Sequence, residues 1–409
     1  MNNGTGKMVT VIGGGFAGLT TAHYLRKAGA RVRVVEKNDR AGGLIGTRHT
    51  PLGLVETAAN GILNTGRLEE LCGEAGIRMI EPQRESRARF IWRSGLRRFP
   101  LTVGEVMRLA TGLICSVGRL TPRPAETITG WGGRVLGSGA TFYGLSTVLG
   151  GIYAGDSDRM SASLVIRRPR PPGEFEHPPN PGVRGTVAPA GGMQELIDGL
   201  VSHLQRQGVE FVYGREARIV PGEPTVVCTS ASQAAKLLRD VEPAVAAAVG
   251  QIEMLSLVTV TTFYDPVPEQ LRGFGCLFPP DQGFRARGVL LNDAIFPGRS
   301  KHRSESWIFG GALDPHFIEK SDQEIAAIVA ADHDRFSGRT ETPLAIHITR
   351  WPEALPHYDL TLERVLATTL THSVMAGPLI LVGNYLGGIG LSKILDRSAW
   401  AARTILGKL

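Results

Sequence analysis

Cysteine is scarce in this chain of 409 residues, and its four cysteines lie far apart. No two of them have the short Cys-x-x-Cys or Cys/His spacing of a zinc or haem site, so we predict no metal centre and no disulfide framework. Scattered cysteine is typical of a reducing compartment, which favours a cytoplasmic protein. Aromatic residues make up only 6% and no nucleic-acid-binding motif is present, so we expect no nucleic-acid partner.

Long hydrophobic runs are also missing. No stretch of about 18 uninterrupted apolar residues occurs, so we expect no membrane-spanning helix. The N-terminus has no charged region followed by a long apolar stretch, and no signal peptide is predicted. Hydrophobic residues make up 42% of the chain, an ordinary share for a globular protein. The net charge of +7 favours anionic ligands or surfaces, although a basic solvated face explains it equally well.

Glycine, in contrast, is abundant, and its first cluster forms a motif. The apolar run Met8–Ile12 predicts a buried strand, and the string GGGFAG (13–18) follows it. A helix to about Lys27 and a second strand at Arg31–Glu36 complete a βαβ unit. Its turn satisfies the dinucleotide-binding pattern G-x-G-x-x-G, in which glycines permit the tight turn and the approach of a pyrophosphate. The predicted contacts are Gly13, Gly15, Phe16, Ala17, Gly18, Glu36 and Lys37, with the Glu36 carboxylate accepting hydrogen bonds from ribose hydroxyls.

The next residues extend this pattern. The string EKNDRAGG (36–43) resembles the E-x-x-x-R-x-G-G motif of glutathione-reductase-like flavoproteins, and more narrowly of the FAD-dependent amine oxidase superfamily. The segment VETAAN (55–60) is similar to that superfamily's E-x-G-[PA] segment, with alanine where glycine is usual. The resemblance implies FAD rather than NAD. It also implies cofactor contacts at Arg40, Gly42, Gly43, Thr57 and Ala58.

A second glycine cluster lies near the C-terminus. In GPLILVGNYLGGIGLSKILDR (377–397), a buried strand over 379–383 is followed by a glycine-rich turn and a helix over 390–406. A helix N-terminus approached by bare backbone stabilises negative charge, such as that on a reduced flavin. An ordinary packing turn is the alternative. We predict cofactor contacts at Gly383, Asn384, Gly388, Ile389 and Gly390, and we name Asn384 and Tyr385 as candidate catalytic residues.

The string GNYLGGIGL (383–391) resembles the C-terminal signature of oxygen-dependent protoporphyrinogen oxidases, which include bacterial coproporphyrinogen oxidases. Strings at 150–164, 189–200 and 351–365 are similar to family segments in the same order, so the resemblance covers nearly the whole chain. It implies FAD-dependent oxidation of a porphyrinogen, protoporphyrinogen IX or coproporphyrinogen III, in haem biosynthesis. The resemblance also implies that six electrons are removed and that oxygen reoxidises the flavin to give hydrogen peroxide.

Two other functions remain open. One is a related FAD oxidase or desaturase acting on an amine, a carotenoid or a specialised metabolite. Gly383 and Asn384 stand where amine oxidases usually have Gly-Glu, which argues against an amine. The other is a non-enzymatic protein with a degenerate site, because the segment 216–228 is shorter than in the family. We expect a monomer or a homodimer.

The expected fold is α/β, with a Rossmann-like, glutathione-reductase-like FAD-binding domain, a discontinuous α+β substrate domain and a helical subdomain. The FAD-binding domain is predicted at 1–82, 185–238 and 364–409, the substrate domain at 83–98, 160–184 and 239–363, and the helical subdomain at 99–159. Further strands are predicted at 255–264, 289–296 and 306–312. The proline-rich segment 167–186 predicts an extended loop. The helical subdomain corresponds to the part of the family that covers substrate and contacts membranes peripherally, although buried core helices are an equal alternative.

Six arginines cluster at 84–98 among alternating apolar residues, which predicts a β-hairpin turning at Ser94-Gly95. Arg89 and Arg97 are our candidates for binding substrate carboxylates, since guanidinium matches a carboxylate bidentately. A solvated face is the alternative. No nucleophile motif and no pair of carboxylates at a telling spacing is found, and the histidines are scattered.

Overall fold

The computed structural model describes residues 7–115, 120–166, 185–368 and 378–407. The predicted proline-rich loop at 167–186 therefore lies almost wholly outside the described residues. The helices of the described ranges are α1 Phe16–Lys27, α2 Gly66–Ala75, α3 Val103–Cys115, α4 Ile128–Val135, α5 Thr147–Tyr153, α6 Ala162–Val165, α7 Met193–Arg206, α8 Ala231–Leu238, α9 Pro243–Val249, α10 Asn292–Ile295, α11 Asp322–Ser337, α12 Leu360–Thr368 and α13 Leu391–Leu406.

The strands form two large and two small sheets. In chain order they are β1 Met8–Ile12, β2 Arg31–Val35, β3 Thr47–Thr50, β4 Gly53–Glu56, β5 Ile62–Leu63, β6 Met79–Ile80, β7 Arg89–Trp92, β8 Leu96–Arg97, β9 Thr186–Pro189, β10 Glu210–Val212, β11 Thr225–Val227, β12 Met254–Tyr264, β13 Gly275–Leu277, β14 Gly288–Leu291, β15 Arg303–Gly310, β16 Ala345–Pro356 and β17 Leu379–Leu381.

The first large sheet is parallel, with strand order β10-β2-β1-β11-β17. Its short apolar strands are covered on both faces, as parallel sheets require. Alternate residues enter opposite cores: Val11 and Val226 pack with α1, α7 and α13, whereas Ile12 and Val227 pack with α8 and α9. The strand order reverses between β1 and β11, and ligands of open α/β sheets bind at such a reversal, beyond the carboxyl ends of the strands.

The second large sheet has the order β16-β12-β15-β14-β13-β7-β8. Most of its neighbouring strands are antiparallel, and α11 covers one face through a core that includes Trp307 and Phe309. The predicted hairpin is confirmed: β7 and β8 pair around Ser94 and Gly95, which both have positive φ. The mixed α/β architecture with a Rossmann-like unit is thus as the sequence predicts.

One predicted strand is partly wrong. The apolar pattern at 289–296 predicts a strand throughout, but β14 ends at Leu291 and the short helix α10 follows. The amide of Asn292 donates hydrogen bonds to Ser304 and Ser306, and an Asp293 oxygen accepts one from the Ser304 N–H at 3.0 Å. These polar side chains bond across to β15 and turn the chain out of the ladder.

The described residues between β8 and α6 are mainly helical, with α3 and α4 followed by a π-helical segment at Ala140–Ser146 that leads into α5. Helix α3 has no buried residue. None of the helices in the described ranges is both long enough and apolar enough to cross a membrane. The division of the chain into three domains stays a prediction.

Candidate active site

The N-terminal glycine turn lies at the reversal point of the parallel sheet. Gly13 has a φ of +105°, and a Cβ at this position would lie 2.6 Å from the carbonyl oxygen of Cys228, which follows β11. A Cβ on Gly18 would overlap the carbonyl oxygen of Gly13. The turn is therefore closed by backbone contacts that only glycine permits. Helix α1 begins directly after it, at Phe16 and Ala17, so its N-terminus lies at the carboxyl edge of the sheet.

Glu36 is placed against this turn. It follows β2, is buried, and accepts a hydrogen bond from the Gly14 N–H at 2.7 Å through one carboxylate oxygen. The other oxygen accepts from the Asn38 N–H at 2.9 Å and from the Asn38 side chain at 2.8 Å. A carboxylate has about four lone-pair positions, so acceptor capacity remains for a ligand hydroxyl. The neighbouring Lys37 is exposed.

The second glycine loop packs directly on the first. The Gly42 N–H donates to the carbonyl of Gly14 at 2.9 Å, and Gly15 and Gly42 form an isolated parallel bridge. A Cβ on Gly15 would meet nothing nearer than the Cα of Gly43, at 3.9 Å. No side chain separates the two loops at this point, so bare backbone faces bare backbone. Arg40 donates to the carbonyls of its own loop, which holds the loop in this shape.

Thr57 joins the glycine loops to the second sheet. Its hydroxyl donates to the carbonyls of Leu44 and Gly46 at 2.9 and 3.0 Å. Its own carbonyl accepts from the Trp351 indole N–H at 2.7 Å and from the Thr259 hydroxyl at 3.3 Å. The half-buried Ala58 follows at this junction. Strands β12 and β16 are thereby held beside the predicted flavin side of the site.

A buried ion pair lies beneath this junction. Arg299 contacts the Glu56 carboxylate at 2.7 Å, and each side chain is only 4% exposed. Glu56 also accepts from the Thr47 hydroxyl at 2.6 Å and from the Met193 N–H at 3.0 Å, the first N–H of α7. Burial raises the pKa of the Glu56 carboxyl, and the hydrogen bond from Thr47 and the charge of Arg299 oppose that rise.

The C-terminal glycine turn reaches the same edge of the sheet. Strand β17 pairs in parallel with β11, which pairs with β1, so the turn after β17 lies two strand spacings, ~10 Å, from the first glycine turn. Gly388 has a φ of +133°, and α13 begins after Gly390 without a side-chain cap. The Thr20 hydroxyl donates to Ser398 at 2.9 Å, so α13 packs against α1. The two glycine-led helix starts predicted from the sequence are brought together.

The two candidate catalytic residues have different surroundings. Tyr385 is fully buried, its hydroxyl has no hydrogen-bond partner among the described residues, and burial raises its pKa well above the usual value. Asn384 is half-buried; its carbonyl accepts from the Tyr358 hydroxyl at 2.7 Å, and its amide approaches the Ala354 carbonyl at 3.4 Å. Asn384 is therefore accessible at the turn, with Gly383 and Ile389 beside it, whereas Tyr385 lies beneath it.

Helix α11 covers one face of the second sheet, and Thr57 contacts the opposite face. Cross-strand partners on this face run from Thr259 through Ile308 and Leu277 to Arg97. Arg89 lies on the same face, opposite Gly275, since paired residues project to one side of a sheet. Both arginines are exposed, and β7 is four strand spacings, ~19 Å, from β12. They stand at the far edge of the sheet face that α11 does not cover.

Other arginines of the cluster are placed differently. Arg93 makes a bidentate pair with Glu105 at 2.6 and 3.0 Å and stacks over Tyr143 at 3.6 Å, which fastens the hairpin to the helical region. Arg98 lies over Phe90, whose ring packs with the core under α11, on the opposite face. Only part of the cluster therefore shares a face with the candidate site.

Sequence reasoning missed several residues that shape this site: Trp351, Tyr358 and Arg299. The string at 351–365 drew attention to the first two, but no spacing rule connects Trp351 to Thr57 across 294 positions. His357, one of the scattered histidines, is buried, accepts a hydrogen bond from the Asp156 N–H at 3.2 Å and contacts Glu253 at 3.1 Å.

Comparison with known proteins agrees with this geometry. Residues 11–75 match the family of NAD(P)-binding Rossmann-like domains. The chain is 22% identical to the chloroplastic protoporphyrinogen oxidase of Nicotiana tabacum, over 98% of this chain and 85% of that one. It is 24% identical to the coproporphyrinogen III oxidase of Propionibacterium freudenreichii, over 97% and 90%. Over nearly its whole length, this chain is similar to porphyrinogen oxidases.

The fold is also shared with an amine oxidase. The cyclohexylamine oxidase of Brevibacterium oxydans superposes with a TM-score of 0.71 at 16% identity, over 98% of this chain and 99% of that one. The chain thus has the fold and the relatives of an FAD-dependent oxidoreductase. The substrate class differs among proteins that share this fold.

Proposed function

We propose that this chain binds FAD and oxidises a porphyrinogen to the porphyrin, with oxygen as acceptor. The observation that supports this proposal most strongly is the convergence of three glycine-rich segments at one carboxyl edge of the parallel sheet, beside the face of the second sheet that α11 does not cover. The pyrophosphate would lie on the turn 13–18 and the N-terminus of α1, because bare N–H groups and the helix dipole favour an anion there. Glu36 would accept the ribose hydroxyls.

The flavin end of the cofactor would lie between the loop at Gly42-Gly43 and the turn 383–390. The chemistry that FAD supplies when bound is acceptance of hydride equivalents and their transfer to oxygen. Thr57 and Trp351 position the sheet face beside that end, and the uncapped N-terminus of α13 favours negative charge close to it. Asn384, accessible at the turn, is the residue we assign to contact with the cofactor or the substrate.

The sheet face suits a flat macrocycle with acidic edges. Ile308 and Leu277 provide apolar surface, and Thr259 provides a weak polar contact on the same face. Arg89 and Arg97 stand at the far edge, where they would pair with peripheral carboxylates. An amine substrate would find no carboxylate after Gly383, where the chain has Asn384.

Anaerobic reduction of the bound flavin tests this proposal directly. The flavin-loaded protein, mixed without oxygen with coproporphyrinogen III, protoporphyrinogen IX or a panel of primary amines, should bleach at the flavin bands only with a porphyrinogen. Readmitted oxygen should then yield hydrogen peroxide and a fluorescent porphyrin. Bleaching by amines alone would favour an amine oxidase, and a protein that takes up no flavin would end the proposal.

Replacing the two exposed arginines should weaken substrate binding selectively. In Arg89→Met and Arg97→Met, KM for coproporphyrinogen III should rise by about tenfold per variant, since one charge-assisted contact contributes about 1.5–3 kcal/mol. The rate at saturation should change little. Arg98→Met is the matched control, because Arg98 lies over Phe90 on the opposite face. Equal effects in all three variants would place the substrate elsewhere.

We also propose that helix α3 contacts an anionic membrane surface from the cytoplasmic side. Val103, Met107 and Ile114 are 79, 65 and 72% exposed and share one side of the helix, at spacings of four and seven residues. Arg97 and Arg98 lie close to its start in sequence, and basic groups attract anionic lipid. Whether the protein acts as a monomer or a homodimer stays a prediction.

Sedimentation with lipid vesicles tests the membrane contact. The wild-type chain should pellet with vesicles that contain anionic phospholipid, and Met107→Glu with Ile114→Glu should release most of it. Val220→Glu is the control, because Val220 is 49% exposed in a loop outside the helical region. Vesicle binding that is unchanged in the α3 double variant would contradict the assignment.

A further inference from the structure

A cluster of two histidines and one glutamate lies away from the glycine turns. His23 is in α1, Glu74 is near the end of α2, and His203 is near the end of α7. One side-chain ligand atom from each residue lies within 4.8 Å of the other two. The residues are separated by 51 and 129 positions in the chain, so the packing of three helices is what brings them together.

Both imidazoles are buried with ring nitrogens that have no partner. His23 is 1% exposed and His203 is 7% exposed. The Nδ1 atom of His23 and the Nε2 atom of His203 have no hydrogen-bond partner among the described residues. Buried polar atoms of this kind usually have a partner, because leaving them unsatisfied lowers stability. The Nε2 atom of His203 is thus a buried polar atom in the cluster that lacks a partner in the described part of the chain, whereas His23 faces Glu74 through its Nε2 atom and not through Nδ1.

The geometry suits a metal ion. The Nε2 atom of His23 lies 3.3 Å from an oxygen of Glu74. Two ligand atoms of one tetrahedral zinc ion lie about 3.4 Å apart, given zinc–ligand distances near 2.0–2.2 Å. Two imidazoles and one carboxylate are ligands that zinc and neighbouring transition metals accept. Glu74 is partly exposed, which leaves a path for the ion to enter.

The charged groups around the cluster include one lysine and two glutamates. Lys27 contacts the other oxygen of Glu74 at 2.6 Å and Glu70 at 2.5 Å, so its charge is shared between two carboxylates. Burial lowers the pKa of His23 to about 4, an effect that the charge of Glu74 opposes and that of His203 reinforces, and burial lowers the pKa of His203 as well.

We propose that His23, Glu74 and His203 form a binding site for one divalent transition-metal ion of the zinc type. The ion would join α1, α2 and α7 behind the glycine turn, with solvent in the remaining coordination position. This site is separate from the proposed flavin chemistry, because His23 lies in the second half of α1 and the phosphate turn lies at its N-terminus. Cysteine and histidine spacing could not reveal it, since each ligand comes from a different helix.

Titration of the tag-free, flavin-loaded chain with Co²⁺ and Zn²⁺ tests this site. After treatment with a chelator, wild-type protein should bind one ion per chain, show visible Co²⁺ absorption typical of nitrogen and oxygen ligands, and gain thermal stability with Zn²⁺. Glu74→Gln and His203→Gln should each lower the affinity by at least about tenfold. The flavin absorbance in the same samples should not change, so the result does not depend on the proposed oxidase activity.

Glu319→Gln is the matched control. It removes the partner of His316, a histidine–glutamate pair at 3.0 Å on the surface with both side chains exposed, and it should leave metal binding unchanged. Because Glu74 is partly exposed, Glu74→Gln should fold even if His203→Gln does not. A wild-type chain that binds no ion, or variants that bind as well as wild type, would overturn the site.

Discussion

Gly15→Val should yield a folded protein that contains almost no flavin. A Cβ at Gly15 has only the Gly43 Cα near it, at 3.9 Å, and the φ of −72° at this residue suits any amino acid. The fold should therefore tolerate the side chain. The same side chain would occupy the space in which a pyrophosphate approaches the backbone. Losing two hydrogen bonds to a charged group, each about 1.5–3 kcal/mol, lowers affinity by at least about a hundredfold.

The flavin content of the purified protein and the affinity after reconstitution would measure this effect. Gly73→Ala is a suitable control, because Gly73 lies within α2 with nothing within 4 Å of its added Cβ. It should keep full flavin and gain a little stability, since alanine favours a helix over glycine by about 1 kcal/mol. A Gly15→Val protein with full flavin content would show that the cofactor does not use this turn.

Arg299→Met should destabilise the protein by about 3–5 kcal/mol, because it leaves the buried Glu56 carboxylate without its cation. Glu56 connects β4, Thr47 and the first N–H of α7, so the loss should loosen the junction between the glycine loops and the second sheet. Equilibrium unfolding in urea measures the change in the free energy of unfolding. The flavin content should fall along with stability.

Two further variants distinguish the loss of the Arg299–Glu56 ion pair from the loss of the Arg299 side chain's packing. Glu56→Gln combined with Arg299→Met removes both charges and should restore much of the lost stability, since the penalty comes from the unpaired ion. Arg33→Met removes a surface pair with Glu210, 2.9 Å apart, and should cost less than about 1 kcal/mol. If Arg299→Met lowers the free energy of unfolding by as little as Arg33→Met does, the buried ion pair does not stabilise the junction between the glycine loops and the second sheet.

Local patterns were sufficient for the first βαβ unit. The strand at Met8–Ile12, the glycine turn and the helix ending at Lys27 appear as predicted, because apolar runs, glycine spacing and helix length are all short-range signals. The hairpin at Ser94-Gly95 was predictable for the same reason. The strand predicted at 289–296 failed because the side chains of Asn292 and Asp293 bond to β15, a long-range contact that an apolar pattern does not contain.

The sequence by itself thus determined the dinucleotide-binding unit, the glycine-rich closing turn and the family to which both are similar, since each depends on residues close together in the chain. Only the tertiary structure decided that Trp351 bonds to Thr57, that Glu56 pairs with Arg299, and that Arg89 shares a face with the site. It also decided that His23 and His203 lie in one cluster with Glu74. Such contacts form when distant helices and strands pack, and packing depends on the whole core rather than on any local spacing.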